Sequence, residues 1–287
     1  MTLNRLGRCV LLAVACALSS SAAPAASVEA KPRLRVELLD VGQGDAVLVT
    51  SPSGKRVLLD GGPREASHAL VARVCPPGSG PLDLILLTHR HADHLGGLTA
   101  VVRSCGARLF MDAGFVHASP AYATLIKAVA AQQIPVRQAE RGRQIDLGGG
   151  ATLTLLTPPD PVIARSRSDV NSNSVVVRLV YDQVSVLFAA DAEATTEKWL
   201  LGTGVDLRAT ALKVAHHGSA HSSTARFLQA VRPEVAVISV GAGNRYGHPA
   251  PATLRRLANV GARIYRTDKH GVITLETDGV TMEVRTP

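Results

Sequence analysis

Thr88-His89-Arg90-His91-Ala92-Asp93-His94-Leu95-Gly96-Gly97-Leu98 places three histidines and an aspartate within six positions, directly after an apolar run. Imidazole nitrogen and carboxylate oxygen suit zinc, and also harder divalent ions such as manganese. His89 and His91 alternate, so on extended backbone their side chains point the same way and can pinch one ion. Asp93 and His94 follow one turn later and do not easily reach that ion, which points to a second metal a few ångströms away. A solvated loop explains one chance histidine, not this cluster.

Residues 82–87 read as a fully apolar strand and 95–104 as a helix, so the cluster sits at a strand's carboxyl end. Open α/β sheets keep their chemistry there. Upstream, residues 33–39, 46–50 and 56–59 read as short strands. Asp40-Val41-Gly42-Gln43-Gly44-Asp45, between the first two, is a tight glycine corner. No helix follows it, which argues against a phosphate cradle. Asp60 closes the third strand, either supporting a metal ligand from behind or serving as a plain turn residue. Helices are expected over 65–74 and 120–132, with a strand at 108–111 and His117 in a surface loop.

Strands at 151–156, 175–181 and 184–190 follow, the last two a hairpin around Asp182-Gln183. The hairpin runs into Asp191, a carboxylate at a strand terminus that can bridge two metals. A strand at 209–215 delivers His216-His217-Gly218-Ser219, a second ligand pair at a strand end. Another, at 235–240, precedes Tyr246-Gly247-His248-Pro249, and a helix near 252–259 comes before two closing strands. The rhythm of strands and helices occurs twice, dividing near residue 145.

With 287 residues, 46% hydrophobic and 19% charged, the chain can bury the core of one large domain or two fused halves. Arg5 and Arg8, an apolar run at 9–18 and small residues through Ala26 read as a secretory signal over 1–26, leaving 27–287 as the domain. The run is too short for a lasting membrane span. It ends either by cleavage within 22–27, the favoured reading, or by lipid attachment at Cys16. Loss of the two arginines lowers the formal charge from +8 to +6. That surplus favours a polyanionic substrate. Aromatics at 3% argue against single-strand binding by stacked bases, which needs aromatic platforms. Cys75 and Cys105 remain after processing, either as a disulfide in an oxidising compartment or as two buried thiols.

His89, His91, Asp93, His94, Asp191 and His216, all at strand ends, resemble the metallo-β-lactamase fold superfamily, with its H-x-H-x-D-H signature, bridging aspartate and last histidine. The resemblance implies an α/β fold, an αββα sandwich of two mixed β-sheets flanked by helices. The corner at 40–45, Asn171-Ser172-Asn173-Ser174, His216-His217-Gly218-Ser219 and Tyr246-Gly247-His248-Pro249 are similar to the hydrolase domain of ComEC-type competence proteins, a likeness spanning 33–276.

By that resemblance His89 and His91 hold a first metal, Asp93, His94 and His216 a second, and Asp191 bridges them, with His217 able to replace His216. Many superfamily members carry a third histidine for the first metal where this chain has its asparagine–serine loop. An amide oxygen is a weaker ligand, so the first site is expected to be loose or selective for a harder ion. Two divalent ions, zinc or manganese, are the implied cofactors, and a phosphodiester or nucleic acid the implied substrate of a secreted or periplasmic hydrolase. Asp93 also counts as catalytic, and His248 as the acid for the leaving oxygen. Asn171, Asn173, Ser174, Lys213 and Arg245 are candidates for gripping substrate, although a mid-strand Lys213 also reads as a snorkelling surface lysine.

Competence proteins are large membrane channels, and no second segment here is long and apolar enough to span a bilayer. Two rival readings are a β-lactam or lactone hydrolase, disfavoured by the missing third histidine, and a metal-free binding module, disfavoured by the intact motif.

Overall fold

The computed structural model describes residues 32–287; the expected signal segment and Cys16 lie outside them. Among the described residues two sheets stack face to face. The first contains β1 (Leu34–Leu38), β2 (Val47–Thr50), β3 (Arg56–Leu59), β4 (Leu84–Leu87), β5 (Phe110–Asp112) and β6 (Val136–Gln138). The second contains β7 (Gln144–Gly148), β8 (Ala151–Leu155), β9 (Val177–Tyr181), β10 (Val184–Phe188), β11 (Ala211–Lys213), β12 (Val235–Ile238) and β13 (Arg263–Arg266). Each half begins as an antiparallel meander and continues in parallel: β3 to β6 in one, β10 to β13 in the other. The parallel crossovers carry helices, which cover the outer faces.

The central strands read as continuous apolar runs because both of their faces are buried. In β4, Leu84 and Leu86 join the core between the sheets, while Ile85 and Leu87 pack outward. That outer layer holds α1 (Ser67–Val74), α2 (Ala92–Leu95), α3 (Leu98–Ser104) and α4 (Pro120–Ala131), through Leu70, Leu95, Val101 and Leu125. In β12, Val235 and Val237 face the sheets' common core, while Ala236 and Ile238 pack outward. After α5 (Asp169–Ser172), the helices α6 (Ala194–Gly202), α7 (Ala225–Val231) and α8 (Pro251–Asn259) cover this side with Leu200, Phe227 and Leu257. The result is the expected αββα sandwich. No helix among the described residues is long and apolar enough to cross a membrane.

Two expectations need correction. The halves do not divide cleanly: after α9 (Thr267–His270), β14 (Ile273–Thr277) and β15 (Met282–Arg285) cross back to the first sheet, where β14 pairs with β1. Three closing strands therefore replace the two expected. Cys75 and Cys105, which end α1 and α3, are joined as a disulfide with Cα atoms 5.6 Å apart.

Candidate metal centre

The parallel strands end on one rim, and each ending delivers a polar group. β3 gives Asp60, β4 the segment from Thr88 to His94, β10 gives Asp191, β11 gives His216 and His217, and β12 gives Ser239. Asp60, Ala190, His216 and His217 all have φ between +46° and +59°, left-handed backbone that non-glycine residues rarely adopt. Such strain persists only where the surroundings over-determine it, and it clusters at functional sites.

His94 Nε2, His217 Nε2, Asp93 Oδ2 and Asp191 Oδ1 converge. Asp191 Oδ1 lies 3.4 Å from His94 Nε2 and 3.7 Å from His217 Nε2, and Asp93 Oδ2 lies 3.3 Å from His217 Nε2 and 4.0 Å from His94 Nε2. A tetrahedral ion with ligands about 2.1 Å away requires ligand spacings of about 3.4 Å. His94 Nε2, His217 Nε2 and Asp191 Oδ1 are also buried and without hydrogen-bond partners. Convergent orphaned lone pairs at this spacing fit a divalent cation.

Hydrogen bonding fixes the tautomers for that role. His217 Nδ1 faces the carbonyl of Ser239 at 2.9 Å, which only accepts, so this nitrogen carries the proton. His94 Nδ1 donates to Asp60 Oδ2 at 2.7 Å. The Thr88 hydroxyl spends its proton on the same carboxylate, at 2.7 Å, and therefore accepts from His89 Nδ1 at 3.0 Å. All three Nε2 atoms are left as lone pairs.

The pair expected for a first ion lies alongside. His89 Nε2 and His91 Nδ1 lie 3.1 Å apart, and His89 Nε2 lies 3.7 Å from Asp191 Oδ2. Asp191 thus turns Oδ2 towards His89 and Oδ1 towards His94 and His217.

Charge tells the same story. Burial opposes ionisation of Asp191 and Asp93, but neighbouring histidines, His94 first, outweigh it and hold both carboxyls below their usual range. Burial likewise disfavours protonated His94 and His217, yet Asp191 and the other carboxylates raise both, His217 to about 10. In the absence of metal, protons supply the positive charge this cluster demands. Burial, with nearby His94, pushes His89 well down, and burial lowers His91 as well.

Of the two adjacent histidines, it is His217, the alternate in the sequence reading, that groups with Asp93, His94 and Asp191. His216 Nε2 lies 3.7 Å from Asp191 Oδ2, on the side of the first site, and its Nδ1 stands 3.2 Å from Glu193 Oε1, off the hydrogen-bond line. The two adjacent left-handed residues send their rings to opposite sides of Asp191.

Lys213 is neither a substrate contact nor a surface lysine. It is 2% exposed and ion-paired with Asp45, because β11 is buried on both faces. Asn173 is also withdrawn: its amide donates to the carbonyls of Ile163 and Asp169 and accepts from Ile163 N, holding the loop together. Ser174 is fully buried and does not line the cleft. Asn171, 2% exposed, keeps an unpartnered Oδ1. Asp60 accepts from His94 Nδ1 and so stands behind that ring, the first of its two sequence readings. Arg245 is exposed, as is His117, whose ring centre lies 5.9 Å from that of His91.

Sequence reading missed the role of Asp45. It lies 3.4 Å from His217 Nδ1 and 3.8 Å from His94 Nδ1, so the glycine corner buttresses the metal loop. Its signal was two acids flanking glycines. At Gly44 a Cβ would meet Asp93 O at 2.2 Å, so only glycine allows this approach.

Gln43, His91, Ala92, Asp93, Asp191, His216, His217, Tyr246 and His248 line an open cleft of about 360 Å³ over the ligands. Burial, with His216 and His217 nearby, pushes the His248 imidazole down to about 4. In the metal-free protein it is therefore neutral at pH 7. Asn244 holds its loop, accepting from His248 N at 3.0 Å and donating to His248 O at 2.7 Å.

Two stacked sheets under outer helices, with a buried histidine–aspartate cluster fit for a metal at the strands' carboxyl ends, define a class of metal-binding αββα proteins. Within that class, the chain belongs to the metallo-β-lactamase superfamily, whose family model matches residues 39–242. It is similar to ComE operon protein 3 of Bacillus subtilis (strain 168), at 30% identity over 258 residues, 83% of this chain and 32% of the relative. Competence protein ComA of Neisseria gonorrhoeae is 31% identical over 240 residues, 83% of this chain and 31% of that protein. The chain thus spans just under a third of the length of these relatives. Among solved structures, the metallo-β-lactamase fold protein YhfI from Bacillus subtilis shares the fold, with a TM-score of 0.56 at 13% identity, covering 86% of this chain and all of that one.

Proposed function

We propose that the chain is an exported metal-dependent hydrolase that cleaves phosphodiesters, nucleic acid foremost, with two divalent ions of zinc or manganese. The observation that carries this reading is Asp191, whose two oxygens face two separate sets of imidazole nitrogens. A two-ion centre suits in-line displacement at phosphorus. The +6 charge expected after processing, and the competence proteins among the relatives, agree with a polyanionic substrate. The disulfide agrees with export.

His89, His91 and Asp191 would hold one ion, and Asp93, His94, His217 and Asp191 the other. Bound there, the ions would lower the pKa of water towards neutrality and offset charge on the phosphoryl group. Asp60 and Ser239 keep His94 and His217 aimed inward. His248 overlooks the cleft as a neutral imidazole and takes up a proton only when an anionic phosphate joins it. The proton then passes to the leaving oxygen.

The test is metal analysis of the purified protein, coupled to hydrolysis of bis(p-nitrophenyl) phosphate, labelled DNA and nitrocefin, with His91→Ala as control. Turnover of the phosphodiesters alone, lost in the variant, is expected. Cleavage of nitrocefin alone would establish the β-lactam reading instead, and failure to bind any metal would remove the hydrolase reading.

A further inference from the structure

Next to the metal cleft lies a second hollow of about 590 Å³, within the roughly 300–1,000 Å³ range of ligand sites. The two share Gln43, Ala92, Asp93 and Tyr246, so they form one groove. Arg64, Glu65 and Arg245 line the added part, giving it a net positive wall. Tyr246 is 53% exposed, the one aromatic among the exposed large apolar side chains of the described residues. Its ring lies nearly parallel to the His248 imidazole, at 23° with centres 5.9 Å apart. Arg245 places its guanidinium 5.1 Å from the ring centre and donates to the Tyr246 hydroxyl at 3.0 Å. Asn244 Oδ1 accepts from the backbone N–H of both Tyr246 and His248, so the assembly is set before any ligand arrives.

We propose that this groove is a nucleotide subsite, in which Tyr246 and the guanidinium of Arg245 form a platform for the base adjoining the cleaved phosphate. Arg64 supplies charge for the neighbouring backbone phosphate. The proposal rests on the phosphodiesterase reading and names its substrate class. Both aromatic rings and guanidinium planes stack bases, and stacking tolerates any base because each has a π face. A single platform serves a single base, which agrees with a chain otherwise poor in aromatics. The groove would thus favour nucleic acid over simple diesters without reading its sequence.

The test compares kcat/KM for thymidine 5′-(p-nitrophenyl) phosphate and methyl p-nitrophenyl phosphate in the metal-loaded protein, Tyr246→Ala and Tyr246→Phe. The ratio of the two falls roughly tenfold in Tyr246→Ala, at the lower end of what stacking provides, and is kept in Tyr246→Phe. A binding arm needs no turnover: fluorescence anisotropy of a labelled dinucleotide against its abasic counterpart, where the wild type prefers the base and Tyr246→Ala does not. An unchanged ratio in Tyr246→Ala, or an equal fall in Tyr246→Phe, overturns the subsite. If neither diester is hydrolysed, the phosphodiesterase reading fails, and the binding arm judges the subsite alone.

Discussion

Replacing Lys213 by methionine removes a buried cation from between the two halves of the sandwich. Asp45, 3% exposed, would keep its charge and lose its closest counterion. Breaking a buried pair by removing one partner costs about 3–5 kcal/mol. For a domain of this size that corresponds to a Tm lower by about 6–20 °C. Burial opposes ionisation of Asp45, but Lys213 and then His217 outweigh it and bring the carboxyl down to about 2. The folded value lies below the unfolded one of about 3.9. The ionised carboxylate therefore stabilises the fold above that unfolded value, and the contribution is lost as pH falls through about 2. In Lys213→Met the carboxyl rises, so the deficit is greatest near neutrality and shrinks as acid protonates Asp45. The assay is thermal unfolding in chelator at pH 7 and pH 4, with Asp45→Asn/Lys213→Met beside the single variant. The double variant should recover at least about half of the loss, since no unpaired charge remains. A Tm for Lys213→Met within 2 °C of the wild type, roughly the least shift expected per kcal/mol, would refute the reasoning, as would a double variant no better than the single one.

Three further outcomes follow from the ligand geometry. His217→Ala should lower metal affinity at least about 100-fold in a calorimetric titration, and His216→Ala far less, because only His217 completes the tetrahedral set; the reverse order would restore His216 as the ligand. Asp60→Asn should weaken metal binding by about 10- to 100-fold, since His94 and Thr88 both depend on that carboxylate; unchanged affinity would reduce Asp60 to a turn residue. Metal binding should release protons: His94 and His217 are raised in the metal-free protein, so each must deprotonate to ligate. Apparent affinity then rises with pH below the His217 value of about 10, up to tenfold per unit for each displaced proton. Isothermal titration in buffers of different ionisation enthalpy counts these protons, and a count of zero would contradict the charge assignment.

The sequence by itself determined the fold class and the ligand chemistry. Both are written in short range: apolar runs of strand length mark the buried strands, and the contiguous cluster from His89 to His94 needs only one strand end to present it. Asp191 was legible only beside the histidine cluster, because an aspartate between a strand and a helix is by itself more often an N-cap. The tertiary structure decided what depends on partners distant in the chain. Lys213 looked outward until Asp45, 168 residues away, met it in the interior. Asn173 looked free until Ile163 and Asp169 consumed its amide. His216 and His217 are neighbours of identical chemistry, and no local pattern separates them. The separation comes from two left-handed backbone positions and from the Ser239 carbonyl, which fixes one ring from the next strand. Side-chain direction at such a turn is set by packing between the two halves, and that packing exists only once the sheets have closed on each other.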